Sequence, residues 1–516
     1  MTSSQPEYNL LSAWPDLPQD LRPGVEIFSP PANGPKSRIA LFACYPHWTS
    51  VCLAISLVLV NLGHEVDLLW QPEVDPNRPA TDKEKNIMIQ AMAESGLPNL
   101  RPYLNLIDLS QVPESELGIK AMEESVLASF YDTVYVRRTT KVDLTSHRDN
   151  EINTHWLKRN MSLRSRLATV INSRRYDMFL IPNGGIQEFG AAFLQAQSQG
   201  LECISFEMGS AMNEKVLISK QRPFANLYTE NAWGKAPEHV LTRGQGQEIS
   251  SLINDLDGET YWQTTFRRLQ RTAKQSPVEL MRRLNLTPGR RIALLCPNTG
   301  WDSTSLHRDT IFGSIKEWVI STVVFFANKP EYDLIIRVHP AEAMTNSEEK
   351  VAEYLGRRFD PLPENIRIVE SSSDVNTYGL MYLAHLGLAY TSTTGLEMPM
   401  RGLPTIVAAR AHYTGKGFTV DPKTKTEYFE SLEKALTQPD KPELSRRESE
   451  LAWRYAYLFF VEMRLDFPWA CGRMREKLRV WPITEVLSPK GTQKFAKTFG
   501  IMTGEIPSSP GMIIRP

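Results

Sequence analysis

Three hydroxyl-rich or charged turns in the second half of the chain have residue types suited to holding a phosphate. The first is Tyr390-Thr391-Ser392-Thr393-Thr394-Gly395-Leu396-Glu397, between an apolar strand and a short helix that stops before Gly402 and Pro404. Unpaired amides at a helix start and the positive end of the helix dipole attract anions, and the Ser392, Thr393 and Thr394 hydroxyls add donors beside Gly395. A plain N-cap accounts for Ser and Thr at that position equally well. The second is Ile335-Ile336-Arg337-Val338-His339-Pro340, a strand that stays apolar until it delivers Arg337 and His339 near its carboxyl end, where open α/β sheets bind ligands. An imidazole there can donate to a phosphate oxygen as charge builds on a leaving group, or it can be a satisfied structural histidine. The third is Ala411-His412-Tyr413-Thr414-Gly415-Lys416-Gly417-Phe418-Thr419, in which Lys416 offers a positive charge and Tyr413 an aromatic face. A polar Gly-Lys-Gly turn is the simpler alternative. The loop Pro297-Asn298-Thr299-Gly300-Trp301-Asp302 follows another strand of the same lobe, placing Asn298 and Thr299 at the binding edge unless it is an ordinary surface turn.

A carboxylate suited to general-base work stands earlier, in Asn183-Gly184-Gly185-Ile186-Gln187-Glu188. A buried strand ends at Pro182, two glycines permit a tight turn, and Glu188 follows at a helix start. Glu207, after the next strand, is the alternative base. An acidic residue that merely favours the helix dipole is the competing explanation for Glu188.

The elements that position these groups read as two α/β lobes. Arg38 to Phe42 is a strand, Val51 to Leu62 a helix stopped by Gly63, and His64 to Trp70 a second strand, which together make a βαβ unit. Tyr176 to Pro182, the helix Gln187 to Gln199 and the strand Glu202 to Phe206 continue the pattern. In the second lobe, the strands Arg291 to Cys296, Asp333 to Val338, Ile366 to Val369, Leu386 to Tyr390 and Thr405 to Ala409 alternate with helices that include Thr310 to Ala327 and Val375 to Leu383. The predicted organisation is an extended segment over 1–36, an N-terminal Rossmann-like lobe over 37–286, a C-terminal Rossmann-like lobe over 287–444 with its junction at Thr287 to Arg291, and C-terminal helices and tail over 445–516. The stretch from Asp75 to Asn160 is too weakly periodic to order.

Composition narrows the function classes. The 58 basic and 59 acidic residues nearly balance, so no global field recruits nucleic acid. The longest apolar run, Val51 to Val60, is well short of the roughly 20 residues that span a bilayer. The proline-rich start lacks the basic and apolar parts of a secretory signal, so the expected compartment is the cytoplasm, with room for peripheral association at the inner face of the plasma membrane. Cys44, Cys52, Cys203, Cys296 and Cys471 form no C-x-x-C pair, and Asp255-Leu256-Asp257 follows no strand. Neither a metal nor a cofactor is expected.

Taken in order, Arg337-Val338-His339-Pro340, then Ser373-Asp374, then Thr391 to Glu397, then Gly402-Leu403-Pro404, then His412 to Thr419 resembles the capsule polysaccharide biosynthesis family. That family includes Kdo-type transferases, with polysialyltransferases and teichoic acid polymerases as more distant relatives. The resemblance is good over roughly residues 290–435 and weaker over 175–235, and it leaves out 70–160 and the tail. It implies a GT-B fold: two Rossmann-like lobes with a cleft between them, and a C-terminal helical segment packed back on the first. It also implies a CMP- or UDP-linked sugar donor, a glycan or glycolipid acceptor, phosphate contacts from His339 and the Ser392/Thr393/Thr394 cluster, and ribose contacts from Glu397. A departure from the Kdo enzymes is the Tyr413 to Gly417 loop, which is less aromatic and glycine-rich than theirs and leaves the donor sugar open. A nucleotide-sugar epimerase of the same fold, or a non-catalytic scaffold of a polysaccharide assembly complex, would carry much the same pattern.

Overall fold

The structure, a computed structural model, describes residues 14–72, 82–139, 142–208, 215–220, 229–234, 238–257, 275–300, 308, 310–344, 350–438, 443–469 and 481–506. Trp301, Asp302 and Cys471 lie outside them, as do 1–13 and 507–516. The described strands are β1 (Arg38–Cys44), β2 (Glu65–Gln71), β3 (Leu104–Asp108), β4 (Met178–Pro182), β5 (Cys203–Met208), β6 (Lys215–Ser219), β7 (Arg291–Cys296), β8 (Tyr332–Arg337), β9 (Ile366–Val369), β10 (Leu386–Ala389), β11 (Thr405–Val407) and β12 (Leu465–Asp466). They form two sheets in two compact units.

The first unit comprises Met1–Thr133, Asp143–Phe224 and Arg464–Pro510. Its sheet runs β12-β6-β5-β4-β1-β2-β3, parallel from β5 to β3 and antiparallel at β5-β6 and β6-β12. β1 is buried along all but its first residue, as expected of a central parallel strand covered on both faces. The helix Pro46–Asn61 begins on a proline, which loses no hydrogen bond at that position. It ends where Gly63, at φ 95°, lets the Gly63 and His64 amides reach Val60 O and Leu59 O. The C-terminal segment expected to pack on the first lobe from residue 445 does so only from Arg464 onward, where β12 extends this sheet and Trp469 packs against Trp14 with ring centroids 6.0 Å apart; the helix Arg446–Tyr457 belongs to the second unit instead, packed on Thr394–Met400 and Arg243–Asp257.

The second unit comprises Val134–Val142, Ala225–Met463 and Gly511–Pro516. It starts ahead of the turn at Thr287 because the helix Pro277–Arg283 packs on Thr377–Leu383, and the helix Arg243–Asp257 on Arg446–Tyr457. Its sheet is wholly parallel, in the order β11-β10-β7-β8-β9. The helices Ile315–Ala327, Val351–Arg358 and Lys425–Thr437 share one core with this sheet around Trp318 and Tyr428. Trp318 Nε1 donates to the Tyr428 hydroxyl at 2.8 Å, which removes the cost of burying an indole N–H. The Ile315–Ala327 helix is started by Ser314, whose Oγ accepts from Glu317 N.

Both units contain the 3-2-1-4-5 strand order of a doubly wound fold, read as β3-β2-β1-β4-β5 and as β9-β8-β7-β10-β11. The expected α/β class with two Rossmann-like, parallel-dominated sheets is therefore present. In such sheets the order reverses at one point, and the loops leaving the carboxyl ends of the two strands on either side form a ligand-binding edge. These points are β7/β10 in the second unit and β1/β4 in the first.

Candidate functional site

At the β7/β10 reversal of the second unit, the loop after β7 is tied to the loop after β10. Asn298 Nδ2 donates to Thr391 Oγ1 at 2.7 Å, and Thr391 N donates to Asn298 Oδ1 at 3.4 Å. Next to this pair, Ser392 Oγ accepts from the Thr394 hydroxyl at 3.0 Å and from the Thr394 amide at 3.4 Å. Ser392 thereby keeps its own hydrogen to donate. The Gly395 and Leu396 amides bond to Ser392 O and Thr393 O, and Thr393 makes no side-chain capping bond. The turn therefore offers half-exposed hydroxyls at Ser392, Thr393 and Thr394 more than bare amides.

The turn is braced from behind. Tyr413 is fully buried, and its hydroxyl donates to Ser392 O at 2.7 Å, so its ring supports the turn instead of presenting a face to solvent. Burial pushes the Tyr413 phenol well above its usual range and keeps it a donor. Gly395 is required by this contact: a Cβ there would lie 2.1 Å from the Tyr413 hydroxyl. Glu397 is buried one helical step further on. The Cys296 thiol at the end of β7, pushed up to about 12 by burial, is a neutral neighbour that hydrogen bonds with Thr394.

Arg337 and His339 leave the adjacent strand β8. Arg337 is buried, with Nε on Thr377 Oγ1 at 3.2 Å and Nη1 on Glu370 O at 2.5 Å, so its guanidinium joins β8 to the next strand and helix. Burial draws its pKa below the ordinary arginine value. His339 is half-exposed just beyond the strand, and Thr299 is buried beside Asn298. Lys416 is not a mobile surface charge: its side chain is 3% exposed, with Nζ 3.7 Å from Glu230 Oε1. Burial lowers its pKa, against the opposing pull of Glu230. The Gly415 and Gly417 turn, with φ of 72° and 87°, is held by Asp421, which accepts from the Gly415 amide at 2.7 Å and from the Thr419 hydroxyl at 2.8 Å. The sequence reading missed Asp421 and gave His412 no partner; it is buried, its Nδ1 lies 2.9 Å from the Tyr455 hydroxyl and its ring stacks on Phe459. The glycine pair followed by a hydroxyl and an aspartate was the available signal for Asp421.

At the β1/β4 reversal of the first unit, Glu188 is completely buried and both its oxygens are engaged. Oε2 accepts from the Tyr45 hydroxyl at 2.7 Å, and Oε1 is ion-paired with Arg159. Burial works against the Arg159 charge, but Glu188 holds its pKa above the ordinary value. Burial and then Glu188 push the Tyr45 phenol and the Cys44 thiol well upward, so both stay protonated. Asp132 accepts from Gln187 N at 2.7 Å and from Asn160 Nδ2 at 2.8 Å. Glu207, half-exposed at the end of β5, accepts from Asn183 Nδ2 at 2.8 Å. Sequence reasoning missed Arg159 and Asn160, which come from the long helix His147–Ser173; Ser146, capping Asp149 N, was the readable start of that helix.

This edge is strained. Tyr45, Asn183 and Gln187 have φ of 61°, 59° and 52°, and Tyr45 combines this with ψ 140°. A non-glycine residue in such a region costs on the order of 1–3 kcal/mol and persists only where its surroundings hold it.

Residues 248–443 match the family model described as capsule polysaccharide biosynthesis protein. No curated protein matches the sequence. Similar solved structures include the beta Kdo 2,4 transferase of Thermosulfurimonas dismutans KpsC, at 14% identity over 54% of this chain and 79% of that one, with a TM-score of 0.34. The beta Kdo 2,7 transferase of the same protein is 12% identical over 66% of this chain and 88% of that one, with a TM-score of 0.32. A UDP-GlcNAc 2-epimerase from Neisseria meningitidis is 13% identical over 82% and 98%, with a TM-score of 0.28. The matched residues include β7 to β11, Asn298, His339, the Ser392 to Thr394 turn and Tyr413. Over residues 248–443, the chain thus carries the sequence pattern of the capsule polysaccharide biosynthesis family.

Proposed function

We propose that the protein is a glycosyltransferase that moves a sugar, of the Kdo-like acidic class, from a pyrimidine-nucleotide donor to a growing surface or capsular polysaccharide. The second unit takes the donor and the first takes the glycan or glycolipid acceptor. One observation carries this reading: the Asn298–Thr391 pair and the Ser392 to Thr394 hydroxyls sit at the strand-order reversal of a doubly wound sheet, inside the segment that matches the family.

The chemistry asked of these residues is modest. An activated sugar phosphate leaves readily once its negative charge is met, so donors fixed before the reaction supply most of what is needed. Ser392 and Thr393 donate to the phosphate, and His339 stabilises the charge that develops on it. Tyr413 and Gly395 keep the turn in place, and Arg337 stiffens the strand that delivers His339. For the base that accepts the acceptor's proton, Glu207 is favoured over Glu188, because it is half-buried at the end of β5 beside Asn183 and Arg464 while Glu188 is completely buried between Tyr45 and Arg159.

Calorimetric titration of the full chain with cytidine, uridine, adenosine and guanosine nucleotides tests the donor half. Binding of a pyrimidine nucleotide supports it, and tight binding confined to a purine nucleotide overturns it. Incubation with the donor alone separates the epimerase alternative, which converts its nucleotide sugar with no acceptor present.

A further inference from the structure

We infer that Tyr45 is the saccharide-contacting residue of the first unit and that Glu188, with Arg159, is its positioning residue. The inference rests on the reading of the first unit as acceptor-binding and names the residues that would do it. Tyr45 stands where β1 passes into the helix Pro46–Asn61, at the strand-order reversal, with a backbone conformation that a glycine would adopt at far less cost. Holding a tyrosine at such a position requires stabilising contacts from its side chain. That side chain is fixed on two sides: its hydroxyl donates to the buried Glu188 carboxylate at 2.7 Å, and its ring lies against Phe189 with centroids 5.6 Å apart.

Glu188 is completely buried with Tyr45 on one oxygen and Arg159 on the other, an arrangement that makes it an anchor with no rearrangement. Around Tyr45 the edge is aromatic. Trp48 packs edge-on against both Phe189 and Phe206, with centroids 6.3 and 5.9 Å away, and His47 is half-exposed beside it with ring centroids 5.8 Å apart. Tyr45 is half-buried as a residue while its hydroxyl is enclosed against Glu188, and an aromatic residue held in this way among polar groups suits the C–H face of a pyranose, which is apolar on one side and ringed by hydroxyls. The ligand class is therefore a saccharide, held by a face and not by a charge, since Arg159 is already matched by Glu188.

The test uses the full chain and saturation-transfer NMR with a Kdo disaccharide and maltotriose as probes, beside calorimetric titration of nucleotide binding. Tyr45→Gly relaxes the backbone, so it should stay folded while losing the ring. The expected result is saturation transfer from at least one probe to the wild type, a tenfold or greater loss of affinity in Tyr45→Gly, and a loss of several-fold in both Tyr45→Phe and Glu188→Gln, with nucleotide affinity unchanged throughout. If transfer activity is found, the acceptor KM should rise in Tyr45→Phe and Glu188→Gln while kcat stays within a few-fold of wild type. Equal probe binding by wild type and Tyr45→Gly overturns the inference, as does the absence of binding by either probe, or a Glu188→Gln variant that loses kcat while keeping its acceptor KM. If no transfer is detected with any donor but the disaccharide binds through Tyr45, the glycosyltransferase reading fails and this inference stands.

Discussion

Adding one methyl group at Gly395 tests whether the hydroxyl turn is held by Tyr413. A Cβ at this position would lie 2.1 Å from the Tyr413 Oη, 2.6 Å from its Cζ and 2.9 Å from Ala389 Cβ. None of these atoms yields easily: the phenol is fully buried and bonded to Ser392 O, and Ala389 belongs to the buried interior strand β10. Overpacking of this kind costs about 1–3 kcal/mol. Loss of the Tyr413–Ser392 bond adds about 0.5–1.5 kcal/mol, for a total of roughly 1.5–4.5 kcal/mol. In a unit of this size that lowers the melting temperature by roughly 3–18 °C. Scanning calorimetry reads the shift. The same substitution in a Tyr413→Phe background, which removes the nearest oxygen, should cost distinctly less, and the difference measures the contact. The nucleotide should also bind more weakly to Gly395→Ala, because the Ser392 to Thr394 hydroxyls move with the turn. A Gly395→Ala protein that melts within about a degree of wild type and binds the nucleotide equally well would falsify the packing argument.

Three further outcomes are expected. Arg159→Met leaves Glu188 buried without its partner and should cost about 3–5 kcal/mol in chemical denaturation, while the double change Arg159→Met/Glu188→Leu should recover much of that loss; equal losses in single and double variants would contradict the pairing. Burial raises the Glu342 carboxyl to about 7, so the folded state binds more protons than the unfolded one between about 4.5 and 7, and stability falls as pH rises through that window. Glu342→Gln should therefore melt higher than wild type at pH 7.5 and show little gain at pH 5, as followed by thermal scans at the two values. Finally, Ser392→Ala/Thr393→Ala should slow sugar transfer on the order of a hundredfold or more with the fold intact and the melting temperature lowered by no more than a few degrees, since the bonds lost are those that Ser392 Oγ accepts from Thr394; near-normal transfer would show these hydroxyls to be structural.

Much of the second unit was legible because its central strands are covered on both faces and so read as unbroken apolar runs. The expected bounds of β7 and β9 coincide with the observed ones, Arg291–Cys296 and Ile366–Val369. Residues 82–173 were not legible, for a physical reason. The helices Ile119–Arg137 and His147–Ser173 bury polar groups in paired networks instead of presenting a clean apolar stripe: Arg164 is buried against Gln195, Ser125, Glu124 and Ala121 O, and Asn160 against Asp132. The last strand, β12, has only two residues and carries no pattern of its own.

At the candidate site the residue types could be read but not their partners. Asn298 and Thr391 are 93 residues apart, and nothing local in either loop foretells their bond. Tyr413 and Lys416 looked exposed because their ends are polar. Each is enclosed because a distant group, Ser392 O or Glu230, meets that end. The same holds for Glu188: a carboxylate after two glycines at a strand end has the form of a base, and only the arrival of Arg159 and Tyr45 from other elements shows its oxygens to be engaged.

The central claim is acceptor-dependent sugar transfer from a pyrimidine-nucleotide donor bound by the second unit. The most direct measurement is release of free nucleotide from CMP-Kdo and from UDP-sugars, followed by NMR with and without a Kdo-terminated glycolipid, for wild type and His339→Ala. The expected result is nucleotide release from a pyrimidine donor that requires the acceptor, yields a lengthened glycan, and falls by about a hundredfold or more in His339→Ala with the fold intact. Donor conversion that proceeds equally well without acceptor, or acceptor-dependent transfer that His339→Ala leaves at the wild-type rate, would contradict it.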